Sequence, residues 1–229
     1  RRIGRSRHRR AGFAGGFVTK TPKYRQRKLF ITRKKEYLPE FEEDQLKAFQ
    51  EGKPYLIGCY DVQFDSEGYL KQYKKIGFSD SAENIKYYAY SKADSESGRF
   101  NFQTSVDYLQ PEAISEFIKL THNQYFEKFG AEYGKTIPTI FTDEPRFGPV
   151  EQLDETDKGI GVYYWTYSFP ESFKAEYGYN IVDRLPKLVW DEKDTHSFER
   201  YDFFNHVSEL FKKAFFEQSS SIEILVEKI

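Results

Sequence analysis

Asp143 and Glu144 stand side by side at the end of a short apolar run, Ile140-Phe-Thr-Asp-Glu-Pro145. Adjacent carboxyl groups are suited to proton transfer. Burial and a neighbouring carboxylate each raise a carboxyl pKa, which lets the group stay protonated and act as an acid near neutral pH. If 137–142 is a strand, the pair lies at its C-terminal end, where parallel α/β proteins gather functional groups. Adjacent residues at a strand end point to opposite faces, so one can aim into a site while the other supports it. The same residues also fit an Asx-type turn closed by Pro145, and spacing alone leaves both readings open.

The elements that would position the pair are legible as changes of periodicity. Residues 28–38, 54–64 and 84–90 read as strands, with 69–76 returning from the Ser66-Glu67-Gly68 turn as a hairpin strand. Glu42–Gln50 fits a short helix. A long polar stretch without a period, Ser91 to Gln110, reads as a functional loop. Pro111 suits the first position of a helix, Glu112 its positive end, and Gly130 its stop. Within 111–129, Ile114, Phe117, Ile118, Thr121 and Tyr125 share a face. Phe173 and Tyr177 belong to a short helix stopped by Gly178. Residues 182–188 form another short element, and 196–218 a long helix. The order strand, helix, strand, helices from residue 84 onward points to α/β with parallel strands.

Composition sets the outer limits. Hydrophobic residues make up 38% of the 229, with 22 Phe and 18 Tyr, and the mean hydropathy is −0.76. The aromatic rings bury large areas, so a packed core is expected despite the polarity. Cys59 is the only cysteine, which excludes an intramolecular disulfide; a cytosolic location fits. No apolar run is long enough for a transmembrane helix, and no secretory signal is visible. His8, His122, His196 and His206 show no metal-ligand spacing and read as surface or helix residues. Gly12-Phe-Ala-Gly-Gly-Phe17 is a loop without the Lys-Ser/Thr ending of a phosphate loop. Residues 1–35 hold 14 of the 35 Lys and Arg and none of the 36 Asp and Glu, which leaves a formal charge of −15 on the rest. A basic arm on an acidic body is one way to bind nucleic acid; a non-native terminus is the other reading.

Tyr108-Leu-Gln-Pro-Glu-Ala-Ile-Ser-Glu-Phe-Ile118, followed by Gly134-Lys-Thr-Ile-Pro-Thr-Ile-Phe-Thr-Asp-Glu-Pro145, resembles bacterial glycoside hydrolases related to the family 106 α-L-rhamnosidases. The likeness extends through Phe169-Pro-Glu-Ser-Phe-Lys-Ala-Glu-Tyr-Gly-Tyr179, Leu185-Pro186 and Arg200-Tyr-Asp-Phe-Phe to Phe216, and includes Gly12-Phe-Ala-Gly-Gly16. It implies an α/β fold, a partial TIM (β/α)8 barrel with an inserted β-rich segment, and hydrolysis of rhamnosides or related glycosides. Calcium is used by some members. Both ends depart from the family pattern, so the chain is expected to be a fragment. Residues 1–11 would be a basic tail, non-native or disordered, 12–83 a barrel loop with the β-rich insertion, 84–218 the partial barrel and 219–229 an uncertain tail. The absence of Met at position 1 agrees with a processed or partial chain.

Glycoside hydrolysis needs two carboxyl groups across the scissile bond. The resemblance makes Glu144 the expected general acid, with Asp143 tuning it or touching sugar. The partner carboxylate would lie outside this sequence, leaving the chain inactive by itself. Asp107, at the end of the long loop, is placed either to hydrogen-bond sugar hydroxyls or to cap the helix. Trp165 and Tyr163, in the polar stretch after Pro145, would form a stacking platform for a sugar ring or else pack in the core. The expected partner is a glycoside or oligosaccharide, with no membrane and no nucleic acid. The alternative is a non-catalytic carbohydrate-binding or nucleic-acid-binding protein.

Overall fold

A computed structural model describes residues 16–96, 102–138, 148–156 and 158–218. The described residues fall into two compact units: 16–26, 94–96, 102–138, 148 and 209–218 in the first, and 27–93, 149–156 and 158–208 in the second.

The second unit is built on five strands, β1 (Arg27–Thr32), β2 (Tyr55–Phe64), β3 (Leu70–Ile76), β4 (Ile85–Ala93) and β5 (Ile160–Trp165), in the order β3-β2-β4-β1-β5. Every neighbouring pair is antiparallel. The partial TIM barrel is therefore corrected: a barrel needs parallel strands joined by crossover helices. The reason begins at the β2–β3 connection. Asp65 Oδ1 accepts from the amides of Glu67 and Tyr69, each at 2.9 Å, and Gly68 takes φ 90°. A turn this short joins only antiparallel strands. β4 then enters between β2 and β1, so both of its edges are filled by antiparallel partners. A parallel strand from 137–142 has no place beside 84–90. Ile137 makes a single bridge to Tyr133, and residues 139–142 of that expected strand lie outside the described residues.

Helices cover one face of this sheet. α1 (Gln45–Glu51) is capped by Asp44, whose Oδ1 accepts from Lys47 N at 3.1 Å, and is stopped by Gly52 at φ 71°. α4 (Phe169–Tyr177), α5 (Leu185–Val189) and α6 (Phe198–Phe211) follow β5. Tyr163 and Trp165 share one face of β5. The Trp165 ring stacks on Phe169 with centroids 5.0 Å apart, and Phe169 packs against Phe203 at 4.9 Å and edge-on to His206 at 5.0 Å. The hydroxyl of buried Tyr60 donates to the Val182 carbonyl, tying β2 to the turn before α5. On the opposite face Phe30 stacks on Tyr90 at 5.2 Å, under Phe41.

In the first unit, the expected helix 111–129 is two helices, α2 (Pro111–Leu120) and α3 (His122–Phe129). Thr121 breaks the run at φ −121°, ψ −78°, and its hydroxyl donates to the Phe117 carbonyl at 2.6 Å. Ala113, Ile114, Phe117 and Ile118 of α2 are buried with Val18, Val106, Tyr108, Ala214 and Phe215. α3 buries none of its residues, so the apolar face expected to run on to Tyr125 ends at the break. No helix among the described residues is long and apolar enough to cross a membrane.

Candidate functional site

The Asp143–Glu144 pair lies outside the described residues. What can be built from residues upward is the approach to α2. From Thr104 to Gln110 every side chain is buried, and Thr104, Ser105, Asp107 and Gln110 among them are polar. Burying polar groups costs free energy unless they are bonded. Ser105 Oγ donates to the Tyr108 hydroxyl at 3.1 Å, and Asp107 Oδ1 accepts from Leu109 N at 3.0 Å. The Asp107 amide donates to the Tyr24 carbonyl at 2.9 Å. Asp107 thus forms an Asx turn ahead of the helix; the N-cap residue itself is Gln110, which makes no side-chain cap bond. Gln110 is nine-tenths buried and its Oε1 has no hydrogen-bond donor. Asp107 and Gln110, three residues apart, therefore put a carboxylate and an amide carbonyl into one buried polar stretch.

Trp165 and Tyr163 are corrected from a polar stretch to the buried strand β5, each about 1% exposed. The Trp165 Nε1 donates to the Tyr55 hydroxyl at 3.2 Å, and the Tyr163 hydroxyl donates to Gln152 Oε1 at 3.2 Å. Burial pushes the Tyr163 hydroxyl up to about 12. Neither ring presents a face on which a sugar can stack. The Gly161-Val-Tyr-Tyr-Trp165 run, β-branched and aromatic, carried the strand signal. His206, read as a surface or helix residue, is helical but buried against Phe173 and Tyr177, with Nε2 2.9 Å from Ser172 Oγ. Sequence reasoning missed this packing because its signal is long-range.

Among the described residues, no group of three or more His, Cys, Asp or Glu side chains is arranged to hold a metal ion. No protein-family model, curated protein or solved structure matches the chain.

Proposed function

We propose that this chain derives from a glycoside hydrolase that cleaves rhamnosides or related glycosides, with Glu144 as general acid. The observation that carries the reading is the combined string Tyr108–Ile118 and Gly134–Pro145, which resembles the family 106 rhamnosidase relatives.

In the proposed reaction Glu144 gives its proton to the glycosidic oxygen as the bond from that oxygen to the anomeric carbon breaks. A second carboxyl group either activates the incoming water or bonds to the anomeric carbon before water displaces it. Asp143, its neighbour in the sequence, tunes that acid or touches the sugar. Asp107 binds a hydroxyl of the sugar.

The test is hydrolysis of aryl and alkyl α-L-rhamnosides by the chain produced together with the coding sequence on both of its flanks. Turnover that disappears in Glu144→Gln supports the reading. Absence of turnover on every rhamnoside and related glycoside tried rejects it.

A further inference from the structure

The second unit carries a strap that takes no part in the Asp143–Glu144 reading. β3 and β4 lie on either side of β2, so the chain that joins them, residues 77–84, has to cross β2. It crosses on the face of Asp61, whose carboxylate accepts from the amides of Glu83 at 3.0 Å and Asn84 at 2.9 Å. Cys59 stands two residues before Asp61 on the same strand and shares that face. In the sheet it is opposite Ile76, the last residue before the strap, and opposite Tyr88 of β4. The Phe78 ring of the strap lies edge-on to Tyr88 at 5.9 Å and to Phe41 at 6.0 Å. Cys59 is about 1% exposed.

The strap is held down mainly by polar bonds. All of its residues except Ala82 are exposed, Phe78 half so, and burial of apolar surface therefore holds it weakly. Asp80 shapes its first turn. The Asp80 Oδ2 accepts from the Gly77 amide at 2.7 Å, and the Asp80 amide donates to the Gly77 carbonyl at 3.2 Å. Lys86 reaches back from β4 into this turn. Its Nζ donates to the carbonyls of Gly77 at 3.2 Å, Phe78 at 2.7 Å and Asp80 at 2.6 Å, and it lies 5.4 Å from the Tyr88 ring centroid. An ammonium has three donors, so this one is fully used, and bonds from a charged donor are stronger than neutral ones.

Segments with few buried apolar contacts and exposed backbone bonds are the ones that open while the rest of a protein stays folded. We infer that residues 77–84 form a lid over Cys59, latched by the Lys86 ammonium, and that the thiol is reached by opening of this lid without unfolding of the sheet. The chemistry beneath the lid agrees. Burial pushes the Cys59 thiol up to about 11, against the smaller opposite pull of Lys86. The thiolate is the reactive form, so the closed state protects the sulfur both by cover and by keeping its proton. The lid is thus a conformational guard whose strength is set by one charge.

The experiment is alkylation of the intact chain by iodoacetamide at mildly alkaline pH, timed by mass spectrometry across low urea concentrations. Cys59 is the only cysteine, so every adduct reports it. The parent chain should react slowly, at a rate that changes little with urea, because a small opening exposes little surface. Lys86→Met keeps the length of the side chain and removes the charge. It should speed alkylation by about tenfold or more, the equivalent of one charge-assisted hydrogen bond, and keep the shallow urea dependence. Lys71→Met, at an exposed lysine outside the strap, should leave the rate unchanged. So should Trp165→Phe, which weakens the core away from the strap. An unchanged rate in Lys86→Met overturns the inference. So does a rate that climbs with urea as steeply as global unfolding, in the parent or in Lys86→Met, since the thiol would then be exposed only when the sheet comes apart.

Discussion

The Oδ1 atom of Asp107 accepts a hydrogen bond from the Leu109 amide at 3.0 Å, inside a run in which every residue from Thr104 to Gln110 is buried. The carboxylate is thus fixed by the backbone of its own turn.

Replacing Asp107 separates the two roles. Asp107→Asn keeps an acceptor for Leu109 N and should fold nearly as well as the parent. Asp107→Ala leaves that buried amide unsatisfied and should cost about 1–3 kcal/mol, read from urea unfolding. If Asp107 also contacts sugar, both variants lose glycoside turnover. Full turnover in Asp107→Asn would confine the residue to the turn.

Trp165 should behave as a core residue. Trp165→Ala removes the ring stacked on Phe169 and the donor to Tyr55, and should cost about 3–5 kcal/mol. Trp165→Phe should cost less. At temperatures where the variants remain folded, glycoside affinity should match the parent. A selective loss of sugar binding with unchanged stability would contradict the buried placement.

Alkaline pH should destabilise the second unit. Burial lifts the Tyr163 and Tyr90 hydroxyls from the ordinary 10.0 to about 12, and the Cys59 thiol from 9.0 to about 11. The unfolded chain then gives up these protons first, so above its own pKa it binds fewer than the folded chain, and stability falls as pH rises. The contribution is whole below pH 9 and is lost progressively between 9 and about 12. Melting temperature followed against pH, with tyrosinate absorbance as the second signal, checks this. Tyrosinate should form together with unfolding, and early titration in the folded state would contradict it.

Much of the local structure was legible. Pro111 and Glu112 marked the start of α2, Gly178 the stop of α4, and Ser66 to Gly68 the β2–β3 turn, because each acts through backbone geometry within a few residues. Strand direction was not legible. The pattern strand, helix, strand after residue 84 reads as a parallel crossover, yet β4 is held by β1 and β2, whose positions earlier in the chain its local pattern does not encode. Polar neighbours hid β5, and with it the burial of Trp165. The helix break escaped notice because Thr121 fits the apolar period while its hydroxyl bonds to Phe117. Of the candidate site, the residue types around Asp107 could be read in advance; their complete burial and the unsatisfied Gln110 oxygen needed the fold.

The most direct measurement is the rate of Glu144→Gln on two substrates, an alkyl α-L-rhamnoside with a poor leaving group and an aryl α-L-rhamnoside with an acidic one, in the chain extended by its flanking coding sequence. General acid catalysis contributes about 10²–10⁴-fold. The alkyl substrate should lose activity by a factor in that range, and the aryl substrate, which needs less protonation, should lose clearly less. Equal losses on both substrates would contradict Glu144 as proton donor, and full activity on both would return Asp143 and Glu144 to a turn closed by Pro145.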